Sequence, residues 1–182
     1  DSLDLFLIYG PLSGTTKRLE TWRAFLDAKT AGKLKTVRVS NHNVHHLEQI
    51  RQTGLETPSV NQIELHPFCQ QKPIVEYCNA HNIFMQAYCP LIRDKNFDNP
   101  VLVEVSKKCN KDMAQILVRW SLQRGYASAF SLDPLPKSSR LARIISNAAL
   151  YEFEISPEDM AKLDALDRGE AGVISWNPIN GP

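Results

Sequence analysis

The 182-residue sequence predicts an α/β fold in which strands and helices alternate around a parallel sheet. Three observations lead there. Short apolar or β-branched runs recur, each followed by a segment with helical spacing of its apolar residues. The connections between them are short, as βα repeats require. Polar side chains gather at the C-terminal ends of the strand runs, where parallel α/β sheets hold their ligands.

Leu3 to Ile8 is a continuous apolar run, read as a buried strand, and Tyr9-Gly10-Pro11 stops it. Leu19, Trp22, Phe25 and Leu26 recur at helical spacing, and Gly32 suits the helix end. Thr36 to Val39 is a short β-branched strand ending at Ser40-Asn41. Asn43 can cap a helix whose inner face is Val44, Leu47 and Ile50. Gly54 and Pro58 lead to Val60–Pro67, a strand with unusual polar content: Asn61, Gln62, Glu64 and His66 stand where a parallel strand is ordinarily Val, Ile and Leu. Buried amides need partners, supplied by the fold or by a ligand. Pro73 fits a first helical turn, with the helix running from Ile74 to His81, and Ile83 to Tyr88 is the next strand.

Ile92 to Pro100 is a loop longer than most βα connections. Helices follow over Val101 to Lys108 and Asp112 to Arg124. Tyr126 to Pro136 is expected to hold a further strand, interrupted by Ser128, Ser131, Asp133 and Pro134. Ser139 to Ala148 is a helix. Ser156-Pro157-Glu158-Asp159 starts another: a capping hydroxyl, Pro in the first turn, then carboxylates at the positive end of the dipole. Residues 169–182 form a tail with little periodicity. The count is about five strands with flanking helices, closed either as an open doubly wound sheet or as part of a barrel. No GxGxxG follows a strand, so the dinucleotide fingerprint of the open sheet is absent.

A net charge of +1 offers no field for nucleic acid or an anionic membrane, and no run of about 20 apolar residues spans a bilayer. Cys69, Cys78, Cys89 and Cys109 show no CxxC spacing. They read as reduced thiols of a cytoplasmic protein, with no metal site expected. His42, His45 and His46 resemble a metal cluster, but a capped helix with solvated imidazoles is the simpler reading. His66, before Pro67, reads as a structural histidine bonded to backbone.

The strand ends supply the candidate chemistry. Ser40, Asn41 and Gln62 offer neutral donors and acceptors that suit a carboxamide. Tyr88 offers a flat face for stacking on an aromatic ring. Lys137 and Ser138, with Arg143 one turn further, open a helix and suit a phosphate. On one rim, these groups would outline a nicotinamide dinucleotide phosphate.

The motifs also resemble a known family. Leu7-Ile8-Tyr9-Gly10-Pro11, Val39-Ser40-Asn41, Val60-Asn61-Gln62-Ile63-Glu64-Leu65-His66-Pro67, Gln86-Ala87-Tyr88-Cys89-Pro90-Leu91, Ala114–Trp120, Pro136-Lys137-Ser138 and Ser175-Trp176-Asn177-Pro178 together resemble the C-terminal part of an aldo-keto reductase, most like the fungal members. The resemblance implies part of a TIM-type (β/α)8 barrel with its N-terminal strands missing. It implies a single domain over residues 1–182, with 169–182 as its tail. It implies NADPH-dependent reduction of aldehydes and ketones, with NADP(H) as cofactor and a small carbonyl compound as substrate. By position, Ser40, Asn41 and Gln62 would hold the carboxamide and Tyr88 would stack on the nicotinamide. Leu91 and Arg93 would follow the pyrophosphate. Lys137, Ser138 and Arg143 would take the 2′-phosphate, and Asn147 the adenine.

The departures from the family pattern are specific. Tyr9 stands where the family has a catalytic His, and a phenol does not reproduce the donor geometry of a neutral imidazole. The family's Tyr, Lys and Asp would lie upstream of Asp1, so a longer chain is expected. Gly10 replaces a bulkier residue, Arg38 a Gly, and Ser146 a Glu. Several extra residues lie between Gly125 and Pro136. Raw sheet edges are expected to invite association. Three functions follow from these features: a carbonyl reductase when complete, a non-catalytic NADP(H)-binding relative, or a decayed gene product without a stable fold.

Overall fold

The computed structural model describes residues 1–126 and 138–182. In chain order the elements are β1 (Leu3–Ile8), α1 (Thr15–Thr30), β2 (Leu34–Ser40), α2 (Val44–Gln52), β3 (Val60–Glu64), α3 (Lys72–Ala80) and β4 (Phe84–Tyr88). They continue with α4 (Pro100–Cys109), α5 (Met113–Gln123), α6 (Leu141–Ala148) and α7 (Pro157–Asp164). The four strands form one sheet in the order β1-β2-β3-β4. β1 runs parallel to β2, and β2 parallel to β3 with Ser40 opposite Gln62. The further strand expected between Tyr126 and Pro136 lies outside the described residues after Tyr126.

The helix starts follow local chemistry. Asn43 caps α2, its Oδ1 accepting from the Val44 N–H at 2.7 Å. Asp112 and Gln115 form a reciprocal capping box at the start of α5. Asn99 and Ser156 each cap a helix that has Pro in its first turn.

Two compact units partition the contacts: Asp1–Ile63 with Lys72–Met85 and Trp176–Pro182, and Glu64–Gln71 with Gln86–Ser175. The first unit buries Trp22, Val39, Leu47, Ile50 and Ile63. Trp22 donates its indole N–H to the Glu56 carbonyl at 2.8 Å, so the largest core residue leaves no polar atom unpaired. The second unit buries Leu65, Phe68, Leu102, Ile116, Leu117, Trp120 and Leu163. In it, Gly172 lies so close to the chain that a Cβ would sit 1.7 Å from the Phe68 carbonyl oxygen.

Two expectations are corrected. β1 is not buried: Leu3, Leu5 and Phe6 are exposed, because among the described residues β1 is an edge strand paired only with β2. His42 and His46 are not solvated imidazoles but fully buried rings. The His46 Nδ1 accepts from the Asn43 N–H at 3.0 Å and completes the α2 capping box.

Candidate functional site

Ser40, Asn41 and Asn61 are hydrogen-bonded within the first unit. Ser40 Oγ donates to the Gln62 carbonyl at 2.7 Å, and the Asn41 N–H donates to the same oxygen at 2.9 Å. Asn41 adopts φ 59°, a left-handed conformation that Asn tolerates. Its Nδ2 reaches the Tyr9 carbonyl at 3.0 Å and Ser40 Oγ at 3.2 Å. Buried Asn61 pairs with both backbone groups of His42, donating to its carbonyl at 2.7 Å and accepting from its N–H at 3.3 Å. Ser40 therefore lies opposite Gln62 across β2 and β3, with Asn41 beside it.

Tyr9 closes the same end of β1. Its ring is 72 % exposed and stacks on Trp176, with centroids 5.6 Å apart and planes 13° apart. Gly10 makes room for this, since a Cβ there would lie 3.3 Å from Trp176 Cη2. The substitution of Gly next to Tyr9 thus has a packing reason.

The second unit holds a cavity of about 790 Å³. Its lining includes Tyr88, Leu91, Arg93, Ser138, Arg143 and Asn147, six of the residues singled out from the sequence. Tyr88 ends β4. Cys89 follows with φ 56°, and Ile92, Arg93 and Asp94 are three successive left-handed residues. Such a turn costs about 1–2 kcal/mol per residue, so the surrounding structure must hold it. Ile92 is fully buried and anchors it, which leaves the Arg93 side chain exposed. Arg93 reaches Ser175 Oγ at 3.1 Å. Burial pushes the Cys89 thiol above its usual range, with the Arg93 guanidinium pulling the other way.

Ser138 precedes α6, and its Oγ accepts from the Arg140 N–H at 3.2 Å. Arg143 and Asn147 lie one turn apart on α6. Gln115 of α5 fixes the far end of that helix, donating to the carbonyls of Ser146 and Ala149 at 3.0 and 3.2 Å. Carbonyls at a helix C-terminus lack the full set of intrahelical partners, and these two gain a side-chain donor. The cavity thus joins aromatic faces, two guanidinium groups, three serine hydroxyls and a buried amide, beside the carboxylates of Asp94 and Asp112; the donors among them match phosphate and a flat heterocycle. Lys137 lies outside the described residues. Among the described residues, no group of three or more His, Cys, Asp or Glu side chains could hold a metal, and no helix is long and apolar enough to cross a membrane.

Several contributors escaped the sequence reading. Ser175 lines the cavity from the aperiodic tail, where no pattern marks it. Phe97, also on the lining, belongs to the long loop after β4. His66 does not bond backbone through its ring. Its Nε2 meets the Glu64 carboxylate at 2.9 Å, and both side chains are fully buried.

The aldo/keto reductase family model matches residues 1–168. The chain is 42 % identical to the glyoxal reductase of Bacillus subtilis, over 93 % of its own length and 59 % of that protein's. It is 41 % identical to an uncharacterized oxidoreductase of Schizosaccharomyces pombe, over 99 % of its length and 62 % of the relative's. Among solved structures it superposes on a Gox0644 variant in complex with NADPH with TM-score 0.89 at 32 % identity, covering all of this chain and 64 % of that one. The chain therefore spans about three fifths of the length of the curated relatives it matches. Its parallel sheet and flanking helices correspond to part of the (β/α)8 barrel of these neighbours.

Proposed function

Because the chain belongs to the aldo/keto reductase family, we propose that it binds NADP(H) and forms part of an oxidoreductase that interconverts aldehydes or ketones with alcohols. The observation that carries this reading is the cavity lined by Tyr88, Arg93, Ser138, Arg143 and Asn147. Its guanidinium groups and hydroxyl suit phosphates, and its apolar and aromatic wall suits the rings of a dinucleotide. When bound, NADPH supplies a hydride for a carbonyl carbon.

The chain's own residues bind and orient. Arg143 and Ser138, with Lys137 beside them in sequence, are assigned to the 2′-phosphate, where paired cationic donors discriminate a phosphate from a hydroxyl. Asn147 is assigned to the adenine edge, Leu91 and Arg93 to the pyrophosphate, and Tyr88 to the face of the nicotinamide. Ser40, Asn41 and Gln62 are assigned to the carboxamide. The reading treats residues 1–182 as one domain of this family, with 169–182 as its tail.

Tyr9 supports a second reading, a coenzyme-binding chain without turnover. Its ring is engaged with Trp176, and a phenol at this position leaves proton transfer to other groups. One experiment separates the readings. Fluorescence titration with NADPH measures binding, and NADPH consumption with a reactive aldehyde measures turnover by a chain spanning the relatives' full length. Saturable binding with turnover supports the reductase, and binding without turnover supports the second reading. Absence of binding refutes both.

A further inference from the structure

The tail of the second unit is tied to the β3–α3 connection by a series of close contacts. The Arg168 N–H donates to the Phe68 carbonyl at 2.9 Å, and its guanidinium lies 5.2 Å above the Phe68 ring. Asp167 accepts from the Gln70 N–H at 3.1 Å. Gly172 packs directly on the Phe68 carbonyl. The series ends at Glu64. Its carboxylate accepts from the Ile174 N–H at 2.7 Å, and from the Ser175 N–H at 3.0 and 3.3 Å.

A buried charge of this kind is costly unless every lone pair is used. Glu64 is compensated by three donors: two backbone N–H groups and His66 Nε2 at 2.9 Å. The His66 Nδ1 is buried with no partner. The ring's N–H therefore belongs on Nε2, where it donates to the carboxylate. Burial pushes the Glu64 carboxyl up, and these three donors together hold it below the usual carboxylate range. The carboxylate is thus charged at neutral pH and bound to the tail at a fixed point.

That point is next to the cavity. The residue whose N–H it holds is Ser175, whose Oγ accepts from Arg93 at 3.1 Å on the cavity wall. Arg93 sits on a left-handed turn and is otherwise exposed. We propose that Glu64 is a positioning residue for this cavity: it fixes the 174–175 backbone so that the Ser175 hydroxyl holds the Arg93 guanidinium facing the bound phosphates. The role of Arg93 toward phosphates rests on the coenzyme reading above; the hold of Glu64 on the tail does not.

Two measurements test the two halves. Hydrogen exchange of the coenzyme-free protein reads the hold on the tail. Glu64→Gln places an amide N–H against backbone donors, and the Ile174 and Ser175 amides should exchange at least about tenfold faster, with α4 and α5 unchanged. NADPH titration reads the consequence for the cavity. Glu64→Gln should raise the Kd about fivefold. Ser175→Ala, which keeps its backbone N–H, should raise the Kd equally without changing exchange at Ile174. The double variant should lose no more than either single one.

Unchanged exchange in Glu64→Gln overturns the proposal. So does an unchanged Kd in a parent that binds NADPH, or losses that add in the double variant. A parent that does not bind NADPH refutes the coenzyme reading, while the exchange result still decides whether Glu64 holds the tail. If Glu64→Gln does not fold, Ser175→Ala and Arg93→Ala carry the test: equal, non-additive losses support the Ser175–Arg93 coupling, and additive losses overturn it.

Discussion

Acidification should loosen the first unit through two histidines. His42 and His46 are fully buried. The His42 Nδ1 lies 2.9 Å from the Ser40 carbonyl and carries the N–H, so the buried Nε2 has no partner. A proton added there would make a charged N–H with neither water nor acceptor. Burial, with repulsion from His46, Arg18 and His45, pulls this group down to about 3. The His46 Nε2 donates to the Gly181 carbonyl at 3.0 Å, and Nδ1 accepts from the Asn43 N–H at 3.0 Å. Protonating Nδ1 would set donor against donor and break the α2 capping box. Burial chiefly pulls His46 down to about 4.

Unfolded histidines titrate near 6.5. Both native values lie below that, so the unfolded chain binds the extra protons. The stabilisation is complete above about pH 6.5 and drains away as pH falls toward 4. At pH 5 each histidine withdraws about 2 kcal/mol, one and a half pH units at about 1.4 kcal/mol each. The pair withdraws about 4 kcal/mol, a large part of a typical domain's stability. Urea unfolding followed by circular dichroism at pH 7.5 and pH 5 reads the loss. His46→Gln isolates one share, because Gln at the third helical position still accepts from Asn43 and does not titrate. Its loss between the two pH values should be about 2 kcal/mol smaller than the parent's. An equal loss in parent and variant would refute the argument.

Other perturbations follow from the same geometry. Gly172→Ala forces a Cβ into the Phe68 carbonyl and should cost about 3 kcal/mol or more, read as a lowered melting temperature. Asn61→Ala leaves the buried N–H and carbonyl of His42 unpaired and should cost about 2–4 kcal/mol in urea unfolding. Arg143→Ala should weaken NADPH about tenfold while leaving NADH unchanged, since NADH lacks the 2′-phosphate; equal losses for both would remove Arg143 from that role.

The parts of the fold governed by neighbours in sequence were legible. Asn43 and Ser156 each cap the helix the sequence assigns to them, because capping is decided within four residues. Ser40 and Gln62 face one another because the register of a parallel pair follows from where the two runs begin and end. What was not legible depends on distant partners. The apolar run of β1 reads as a core strand, yet its exposure is set by how many strands flank it. The carboxylate of Glu64 meets its backbone donors more than a hundred residues later, in a tail with no periodicity. His46 is both a helix cap and a tail contact, and residue type alone does not distinguish that from a solvated imidazole.

The central claim is that the cavity bounded by β4, the turn at Arg93 and α6 receives NADPH. A 1H–15N NMR titration with NADPH tests it most directly. The account predicts saturable shifts at Tyr88 to Asp94, at Ser138 to Asn147 and at Ser175, with those at Ser138 to Arg143 lost when NADH is used instead. Shifts centred on the charged surface of α4 and α7, or no saturable shift at all, would contradict it.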